Sequence, residues 1–518
     1  MENFGKEYMK MHRDADIYTD TSADYSLPDY NGDIKKVLYT SASVLPATRY
    51  NDGEGVTSSG VVAYDILYIN SENELDHLSF NSDFDVSAKI GGENILDSDI
   101  ETRVASFSHR LFGPRRVNMK ATLVSEVRYL EGEGLNGYAA VAENPDAECI
   151  IKHASVADTR FFRSNEREYA ECVTNLDGVI ADEVEVLYSS AVPQFTAVRR
   201  EGEGISVSGS FVVSAVIRCE GVPPTLYKKK IPFDELIEAE GLLDSPALCA
   251  TANISSLACE IVGSDDGASV NASVIADYSV RASCNRELTF VKDAFLKSAE
   301  CDNSYGKINY TTHIGTESRV CTVSHTVPIS EICECGIRSV VYMNAGARIS
   351  SLELEDSAAR AVVDVKLNGV CSSVDNEGVV NYFAVKTACS ATEKVTFNCQ
   401  MPENSLLDCK TRAIDTVATV DEENLYIDVT YEIASDAAAQ KSEEYLVGAV
   451  AKEGGEFAPG GSSVRVYYPT PEDSLFTVAR KYHTGVEDIA AANMLTEGVM
   501  NSFDTPGSLV GVKRLIIK

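Results

Sequence analysis

The 518-residue sequence contains no tryptophan and is poor in basic residues, since 45 lysines and arginines stand against 79 aspartates and glutamates. The resulting net charge of −34 would repel phosphate backbones and anionic membranes, so we expect no nucleic-acid binding. No apolar run approaches the ~20 residues of a membrane-spanning helix. The N-terminal "MENFGKEYMKMHRDAD" lacks the apolar core and cleavage site of a signal peptide, which predicts synthesis and retention in the cytosol.

Motifs of common catalytic sites are also missing. The sequence has no H-E-x-x-H, G-x-S-x-G, G-K-[ST] or C-x-x-C pattern, and its carboxylates are too scattered to single out an acid–base pair. The segment "GEGLNG" (Gly132–Gly137) fits the glycine pattern of dinucleotide sites, but Pro145 follows too closely for the helix that such a site needs. We interpret this segment as a hairpin loop, and we expect neither an enzymatic activity nor a cofactor.

The 14 cysteines follow no framework spacing, which is typical of buried thiols in a cytosolic protein. One group with a histidine forms the pattern C-x3-H-x7-C-x-C: Cys321, His325, Cys333 and Cys335. Tetrahedral zinc is geometrically possible for such a group, but the spacing matches no usual zinc ribbon or finger. We therefore favour buried thiols with a hydrogen-bonded histidine and predict no bound metal.

Two stretches of the sequence recur at a constant offset of 149 residues. The segment "DIKKVLY" (Asp33–Tyr39) returns as "DEVEVLY" (Asp182–Tyr188), and "EGVTSSGVVAYDILY" (Glu54–Tyr68) returns as "EGISVSGSFVVSAVI" (Glu203–Ile217). A third, more diverged copy begins near "GIRSVVY" (Gly336–Tyr342). Two matched segments at one spacing indicate internal duplication.

Each copy has the alternating pattern of half-buried β-strands. In the second copy, apolar residues such as Ile205, Val207 and Val213 alternate with serines, and short Gly, Asn and Asp turns separate the strands. The predicted fold class is therefore mainly β, with three tandem antiparallel β domains. Their expected boundaries are 1–150, 151–300 and 301–447.

The C-terminal part differs in pattern from the three copies. Residues 448–463 contain "AKEGGEFAPGGSS", whose glycines and proline predict a flexible linker. In the segment that follows, "DSLFTVARKYHTGVEDIAAANML" (Asp473–Leu495) has the apolar spacing of two short adjacent helices. The strands "VRVYY" and "KRLIIK" flank it, so residues 464–518 are predicted to form a small βααβ module.

This module resembles the LysM family. The segments "YPTPEDSLFTVARKY" and "VEDIAAANML" match, in order and spacing, the family's turn, its first helix ending in K-K-Y and its second helix containing A-x-N. Glu472 stands where the family has a turn glycine, and Phe476 stands where it usually has tryptophan. The segment Thr496–Val512 is longer than its counterpart in the family pattern.

The resemblance implies a binding surface on the module. LysM domains hold N-acetylglucosamine polymers in a groove between the first turn and the loop after the second helix, which corresponds here to Pro471, Glu472, Asp473, Ser474, Leu495, Thr496 and Glu497. A protein partner would instead be expected to contact the first helix and its preceding turn, through Glu472, Phe476, Arg480 and Lys481. His483, between the two helices, is expected to be a solvated loop residue.

The copies resemble a second family. The segment "LPDYNGDIKKVL" (Leu27–Leu38), followed by a polar turn and an alternating strand, is similar to the start of a SPOCS domain. Tandem SPOCS domains before a C-terminal LysM module characterise the SipL group of spore-coat morphogenetic proteins in endospore-forming Firmicutes. This resemblance implies a non-enzymatic scaffold of the mother-cell cytoplasm. Its LysM module would dock on a SpoIVA-like ATPase of the coat basement, at the forespore surface.

The alternative function is binding of peptidoglycan through the LysM-like module. Three features favour a protein partner instead, and one of them is that the rings of Phe476, Tyr482 and Tyr468 are suited to pack against a partner helix. The missing signal peptide predicts no access to ordinary cell wall, and Glu472 places a charged side chain where backbone should approach a neutral sugar.

Overall fold

The structure is a computed structural model that describes residues 7–13, 16–29, 31–45, 48–51, 55–91, 94–135, 144–334, 336–355, 357–375, 377–398, 400–402, 405–456 and 464–518. The first eight strands are β1 (Glu7–Arg13), β2 (Ile17–Ser26), β3 (Lys36–Val44), β4 (Thr48–Asn51), β5 (Gly55–Ile69), β6 (Leu75–Lys89), β7 (Ile95–Gly113) and β8 (Arg116–Gly134). The next seven are β9 (Ala147–Arg163), β10 (Arg167–Asp177), β11 (Val184–Glu201), β12 (Gly204–Cys219), β13 (Val222–Glu238), β14 (Ala247–Ser264) and β15 (Gly267–Leu296). Six more follow: β16 (Ala299–Pro328), β17 (Ser339–Glu355), β18 (Ala358–Val374), β19 (Val380–Thr396), β20 (Ser405–Val420) and β21 (Asn424–Glu456).

The remaining elements lie in the C-terminal part and in two short turns. Strand β22 (Arg465–Tyr467), helices α1 (Leu475–Tyr482), α2 (Val486–Asn493) and α3 (Glu497–Met500), and strand β23 (Leu515–Ile517) close the chain, and 3-10 turns occupy Ala181–Glu183 and Ile329–Glu331. No helix among the described residues is long and apolar enough to cross a membrane. The expected mainly β class with antiparallel sheets is confirmed.

The first 21 strands form three units with the same strand order. In the first unit (β1–β8), the last strand β8 is flanked by β7 on one side and by β1 and β2 on the other, while β5 is flanked by β6 and by β3 and β4. In the second unit (β9–β15), β15 lies between β14 and β9 with β10, and β12 lies between β11 and β13. The third unit (β16–β21) repeats this order with β21 and β18 as the central strands.

In each unit the two sheets enclose one apolar core. Tyr64 and Ile66 of β5 face Met119 and Leu123 of β8 in the first unit, and all four are fully buried. Corresponding cores lie between β12 and β15 and between β18 and β21. The alternation seen in the sequence therefore buries one face of each sheet against the other, as in a β-sandwich.

A β-bulge recurs at the same place in all three units, and it orients the side chains through which the units contact one another. The register of the first strand pair shifts just before Tyr39, Tyr188 and Tyr342, at the third position of the repeated V-L-Y, V-L-Y and V-V-Y segments. A bulge turns two successive side chains towards one side of a strand, so each tyrosine is buried together with the apolar residue before it.

The three tyrosines contact one another where the units meet. Their ring centroids are 5.9 Å apart for Tyr39 and Tyr188, 5.1 Å for Tyr39 and Tyr342, and 4.8 Å for Tyr188 and Tyr342, all edge to face. Each ring touching the other two is the arrangement that approximate threefold symmetry produces. The hydroxyl of Tyr39 accepts a hydrogen bond from the Asn344 amide at 3.1 Å, and the hydroxyls of Tyr342 and Ser190 are 3.2 Å apart. The Tyr39–Tyr188–Tyr342 cluster is thus a core shared by all three units.

The predicted linker is only partly a separate segment. Residues 448–456, its first half, belong to strand β21 and pair with the start of β16, with Ala451 opposite Cys301. The paired residues of this stretch are 448–451 and 456, and a register shift lies between them, so the third unit extends beyond the expected boundary at residue 447. Residues 457–463 of the predicted linker lie outside the described residues.

Candidate functional site

The C-terminal module contains the expected strand, two helices and closing strand, but a third short helix, α3, lies before the closing strand. The first turn of the module is organised by Asp473. This carboxylate accepts hydrogen bonds from the backbone N–H of Thr470 at 2.7 Å and from the hydroxyl of Tyr467 at 2.8 Å. Burial alone would raise the pKa of Asp473, but these hydrogen bonds outweigh it and lower the pKa. Asp473 is therefore a charged structural residue that ties the turn to β22.

Helix α1 begins at a capping box. The Ser474 hydroxyl accepts a hydrogen bond from the backbone N–H of Thr477 at 3.1 Å, and the Thr477 hydroxyl accepts one from the backbone N–H of Ser474 at 2.9 Å. The helix ends at His483, whose φ of 51° places it in the left-handed region. Gly485 is the N-cap of α2, so the break between the two helices spans residues 483–485.

The asparagine of the A-x-N motif joins α2 to the closing strand. The Asn493 amide donates to the carbonyl of Ile516 at 2.7 Å and accepts from the backbone N–H of Ile516 at 2.6 Å. The pair β22–β23 and this bridge enclose a core that includes Leu475, Val478 and Ile489. Asn493 is thus a folding residue of the module.

One face of α1 packs on the second unit, which corrects the expected partner-binding face. Phe476 is 2% exposed, and its ring lies 5.3 Å from that of Phe295 at the end of β15. The Arg480 guanidinium pairs with Asp293 and also donates to the carbonyl of Ala294 at 3.0 Å. Phe476 and Arg480 were expected on an accessible surface. In the structure they contact Phe295 and Asp293 of the second unit instead.

Two further contacts hold the module on the second unit. Nδ1 of His483 and the carbonyl oxygen of Leu296 are 3.1 Å apart, so the ring donates to the backbone. The Lys152 ammonium lies 2.9 Å from Asp504 and lowers the pKa of this carboxyl against the opposing effect of burial. The expectation of a solvated loop histidine at position 483 is wrong. The module is not separate from the second unit but packs against it.

Residues 497–512 pack against the first turn and form hydrogen bonds with backbone groups beside the expected sugar groove. The backbone N–H of Phe476 donates to the carbonyl of Phe503 at 3.0 Å, and the N–H of Gly507 donates to the carbonyl of Asp473 at 3.1 Å. The turn is therefore hydrogen-bonded to this long segment. Among the predicted groove residues, Pro471, Glu472, Thr496 and Glu497 are exposed, Leu495 is half-buried, and Ser474 is buried.

We expect Arg480→Glu to loosen the module from the second unit, since it would place two carboxylates together at Asp293. Arg480 is 38% exposed, so solvent weakens this ion pair and the module should open more often without unfolding. Amide hydrogen exchange in α1 and at residues 294–296 should become faster by about tenfold. Lys481→Glu is the matched control, because Lys481 packs over the Tyr467 ring and not on the second unit. Equal exchange rates in the two variants would contradict this docking contact.

A network of ion pairs, buried or partly buried, links the three units and was not predicted from the sequence. Arg128 of β8 lies 2.8 Å from Asp408 of β20, and Arg281 of β15 lies 3.1 Å from Asp436 of β21. Together with the pair Arg163–Asp99 at 2.9 Å, these contacts bridge every pair of units. The sequence contained a signal, because "VNMKATLVSEVR" (117–128) and "VNASVIADYSVR" (270–281) end on the two arginines, while the third copy, "LYIDVTYEIASD" (425–436), ends on aspartate.

A cavity of about 70 Å³ lies inside this network. Four carboxylates and four cations line it: Asp99, Glu101, Asp408, Asp436, Arg128, Arg163, Arg281 and Lys410. Lys410 pairs with Glu101 and lowers the pKa of this carboxyl, although burial opposes the shift. The four carboxylates and four cations balance in number and form ion pairs. We therefore interpret the cavity as a part of the interface between the units and not as a ligand site.

The residues of the possible zinc pattern make other contacts. His325 lies 3.0 Å from the hydroxyl of Thr387, and the Cys333 thiol donates to the carbonyl of Gly336 at 3.4 Å. Burial and Glu393 raise the pKa of Cys321 to about 11, which keeps its thiol protonated. Cys335 lies outside the described residues, as do the last two residues of the GEGLNG segment. Within the described part of the chain, no group of three or more His, Cys, Asp or Glu side chains is placed to hold a metal ion.

Comparison with known proteins adds no relative, because no family model, no curated protein and no solved structure matches this chain.

Proposed function

We propose that this chain is a non-enzymatic scaffold of spore-coat morphogenesis, with three SPOCS-like β domains followed by a LysM-like module that docks on a protein partner. The partner class implied by the resemblance is a SpoIVA-like ATPase of the coat basement, and the site of action is the forespore surface. The proposal rests on the order of the motifs in the sequence.

The occupied groove is the observation that favours a protein partner over a glycan. A sugar polymer in a LysM groove needs the backbone between the first turn and the loop after the second helix. Here Phe503 and Gly507 already form hydrogen bonds with Phe476 and Asp473. The exposed side chains that remain near this place include Glu472 and Lys481, whose opposite charges suit a polar protein contact better than a neutral sugar.

The docking surface on the module excludes the face that packs on the second unit. Phe476 and Arg480 are committed to Phe295 and Asp293 while the module is docked. The accessible part comprises Pro471, Glu472, Lys481, Thr496 and Glu497. We therefore assign the partner contact to this accessible part, with charged residues at its centre.

The test measures binding of the full-length chain to a purified SpoIVA-like ATPase, beside sedimentation with insoluble peptidoglycan. The double variant Glu472→Lys/Lys481→Glu should bind the ATPase at least about tenfold more weakly, which corresponds to about 1.4 kcal/mol. Lys366→Glu, at an exposed position of β18, is the matched control and should bind as the unmodified chain does. Cosedimentation with peptidoglycan at micromolar affinity, without binding to the ATPase, would replace the proposal by the glycan function.

A further inference from the structure

Three topologically equivalent hairpins differ in charge: the tip of the first is basic, and the tips of the other two are acidic. The hairpin β7–β8 of the first unit has three arginines and no acidic residue between Ser106 and Asn118. Arg115 pairs with Asp33, and Arg116 pairs with Asp24, both in the same unit, whereas the structure assigns Arg110 no ion pair among the described residues. The hairpin β14–β15 of the second unit has three acidic residues and no basic one between Ala258 and Asn271. The hairpin β20–β21 of the third unit is acidic as well. One basic tip thus stands out in a chain with a net charge of −34.

The basic tip presents an aromatic ring between two cations. Phe112 is 54% exposed, and the guanidinium carbons of Arg110 and Arg116 lie 5.0 and 5.8 Å from its ring centroid. Leu111 and Phe107 on the same strand are also exposed. Within the described chain, β7 pairs with β8 alone, so its other edge is not hydrogen-bonded to a strand. Exposed aromatic and arginine side chains together are typical of protein-binding surfaces.

The acidic tip of the second unit is complementary in both charge and polarity. Asp265 and Asp266 are exposed, and the structure assigns their carboxylates no hydrogen bond or ion pair within the described residues. Two apolar side chains accompany them on this unit, because Ile180 is 62% exposed and Val262 is 47% exposed. Asp182, beside Ile180, adds a further exposed carboxylate. Carboxylates beside exposed aliphatic groups match Arg110 beside the exposed Phe112 ring.

The acidic tip of the third unit is less suited to receive the basic tip. The Asp421 carboxylate already accepts hydrogen bonds from the backbone N–H groups of Glu423 and Asn424 and from the hydroxyl of Tyr426. Asp415, further along the hairpin, pairs with Lys228. These carboxylates would have to leave partners inside the chain before they met an arginine.

We propose that the chain associates with a second copy of itself, the basic tip of one copy docking on the acidic tip of the second unit of the next. Because the two tips belong to different units, the interface is heterologous. A pair of copies keeps one free acidic tip and one free basic tip at its two ends, and these can extend the assembly. The inference is independent of the role proposed for the C-terminal module, since neither tip belongs to it.

The test uses sedimentation velocity of the full-length chain over a concentration series. The unmodified chain should form species larger than a dimer at about 0.05 M salt and dissociate at about 0.5 M, where exposed charges are screened. Arg110→Glu alone, and Asp265→Lys/Asp266→Lys alone, should each weaken association at least about tenfold. All three positions are exposed, so folding should be retained, and circular dichroism checks this.

An equimolar mixture of the two variants gives the sharpest outcome. The Arg110→Glu chain keeps its acidic tip and the double variant keeps its basic tip, so the mixture should form a dimer that does not extend further. Arg348→Glu, an exposed arginine of β17, is the matched control and should associate as the unmodified chain does. A monomeric unmodified chain, normal association of either tip variant, or a mixture without dimers would each overturn the proposal.

Discussion

Replacing Asp436 by alanine should lower the free energy of unfolding by about 3–5 kcal/mol, the usual cost of removing one partner from a buried ion pair. Arg281 would keep its charge in a site where its side chain is only 12% exposed. Asp436 also accepts a hydrogen bond from Thr316 at 2.7 Å and lies 3.1 Å from Nε2 of His313. Urea unfolding followed by circular dichroism measures the change, since the chain has no tryptophan to report it by fluorescence.

The matched control is Asp428→Ala, on the same strand. Asp428 is exposed, and its carboxylate accepts a hydrogen bond from the Ser324 hydroxyl only at the surface. Its loss should change the free energy of unfolding by less than about 0.5 kcal/mol, as surface substitutions usually do. If Asp436→Ala were as mild as this control, the Arg281–Asp436 pair would not hold the second and third units together.

The effect of Asp436 should also depend on pH. Burial raises the pKa of this carboxyl, but His313, Arg281 and Thr316 together outweigh burial and leave the pKa below its ordinary value. A group with a lowered pKa in the folded state stabilises the fold above its unfolded pKa, and this contribution is lost as pH falls through the folded pKa. The difference between the unmodified chain and Asp436→Asn should therefore be complete at neutral pH and shrink below about pH 4.

The sequence predicted those parts of the structure that depend on local pattern. Alternating apolar residues identified the strands, and the V-L-Y, V-L-Y and V-V-Y segments marked equivalent positions of the three copies, although not the contact between Tyr39, Tyr188 and Tyr342. The helical spacing in the C-terminal part identified α1 and α2. Each of these features lies within a few residues of the pattern that predicts it.

The contacts between distant segments were not predicted. Asp293 and Arg480 are 187 positions apart, and nothing near either residue indicates that they pair. For the same reason Arg480 was expected on an accessible surface of a tethered module. The third copy has Asp436 where the first two copies have Arg128 and Arg281, and the sequence alone does not show that Asp436 pairs with Arg281.

Tyr188→Ala should be the most damaging single substitution in the core shared by the three units. Truncating a buried aromatic side chain to alanine costs about 3–5 kcal/mol, because the contacts of the ring are lost and a cavity remains. Tyr188 is 5% exposed and contacts the rings of both Tyr39 and Tyr342, so the cavity would open between all three units. The unfolding midpoint in urea should fall accordingly.

Tyr188→Phe separates the ring from its hydroxyl. Burial raises the pKa of Tyr188 well above its ordinary value, so the hydroxyl is neutral and its removal deletes no charge. The phenylalanine variant keeps the ring and its contacts, so it should lose no more than about 1 kcal/mol. If the alanine variant fails to express, Tyr188→Leu provides an intermediate loss of ring volume. If the alanine and phenylalanine variants had equal unfolding midpoints, loss of the Tyr188 ring would not destabilise the fold. The three units would then not depend on this tyrosine cluster.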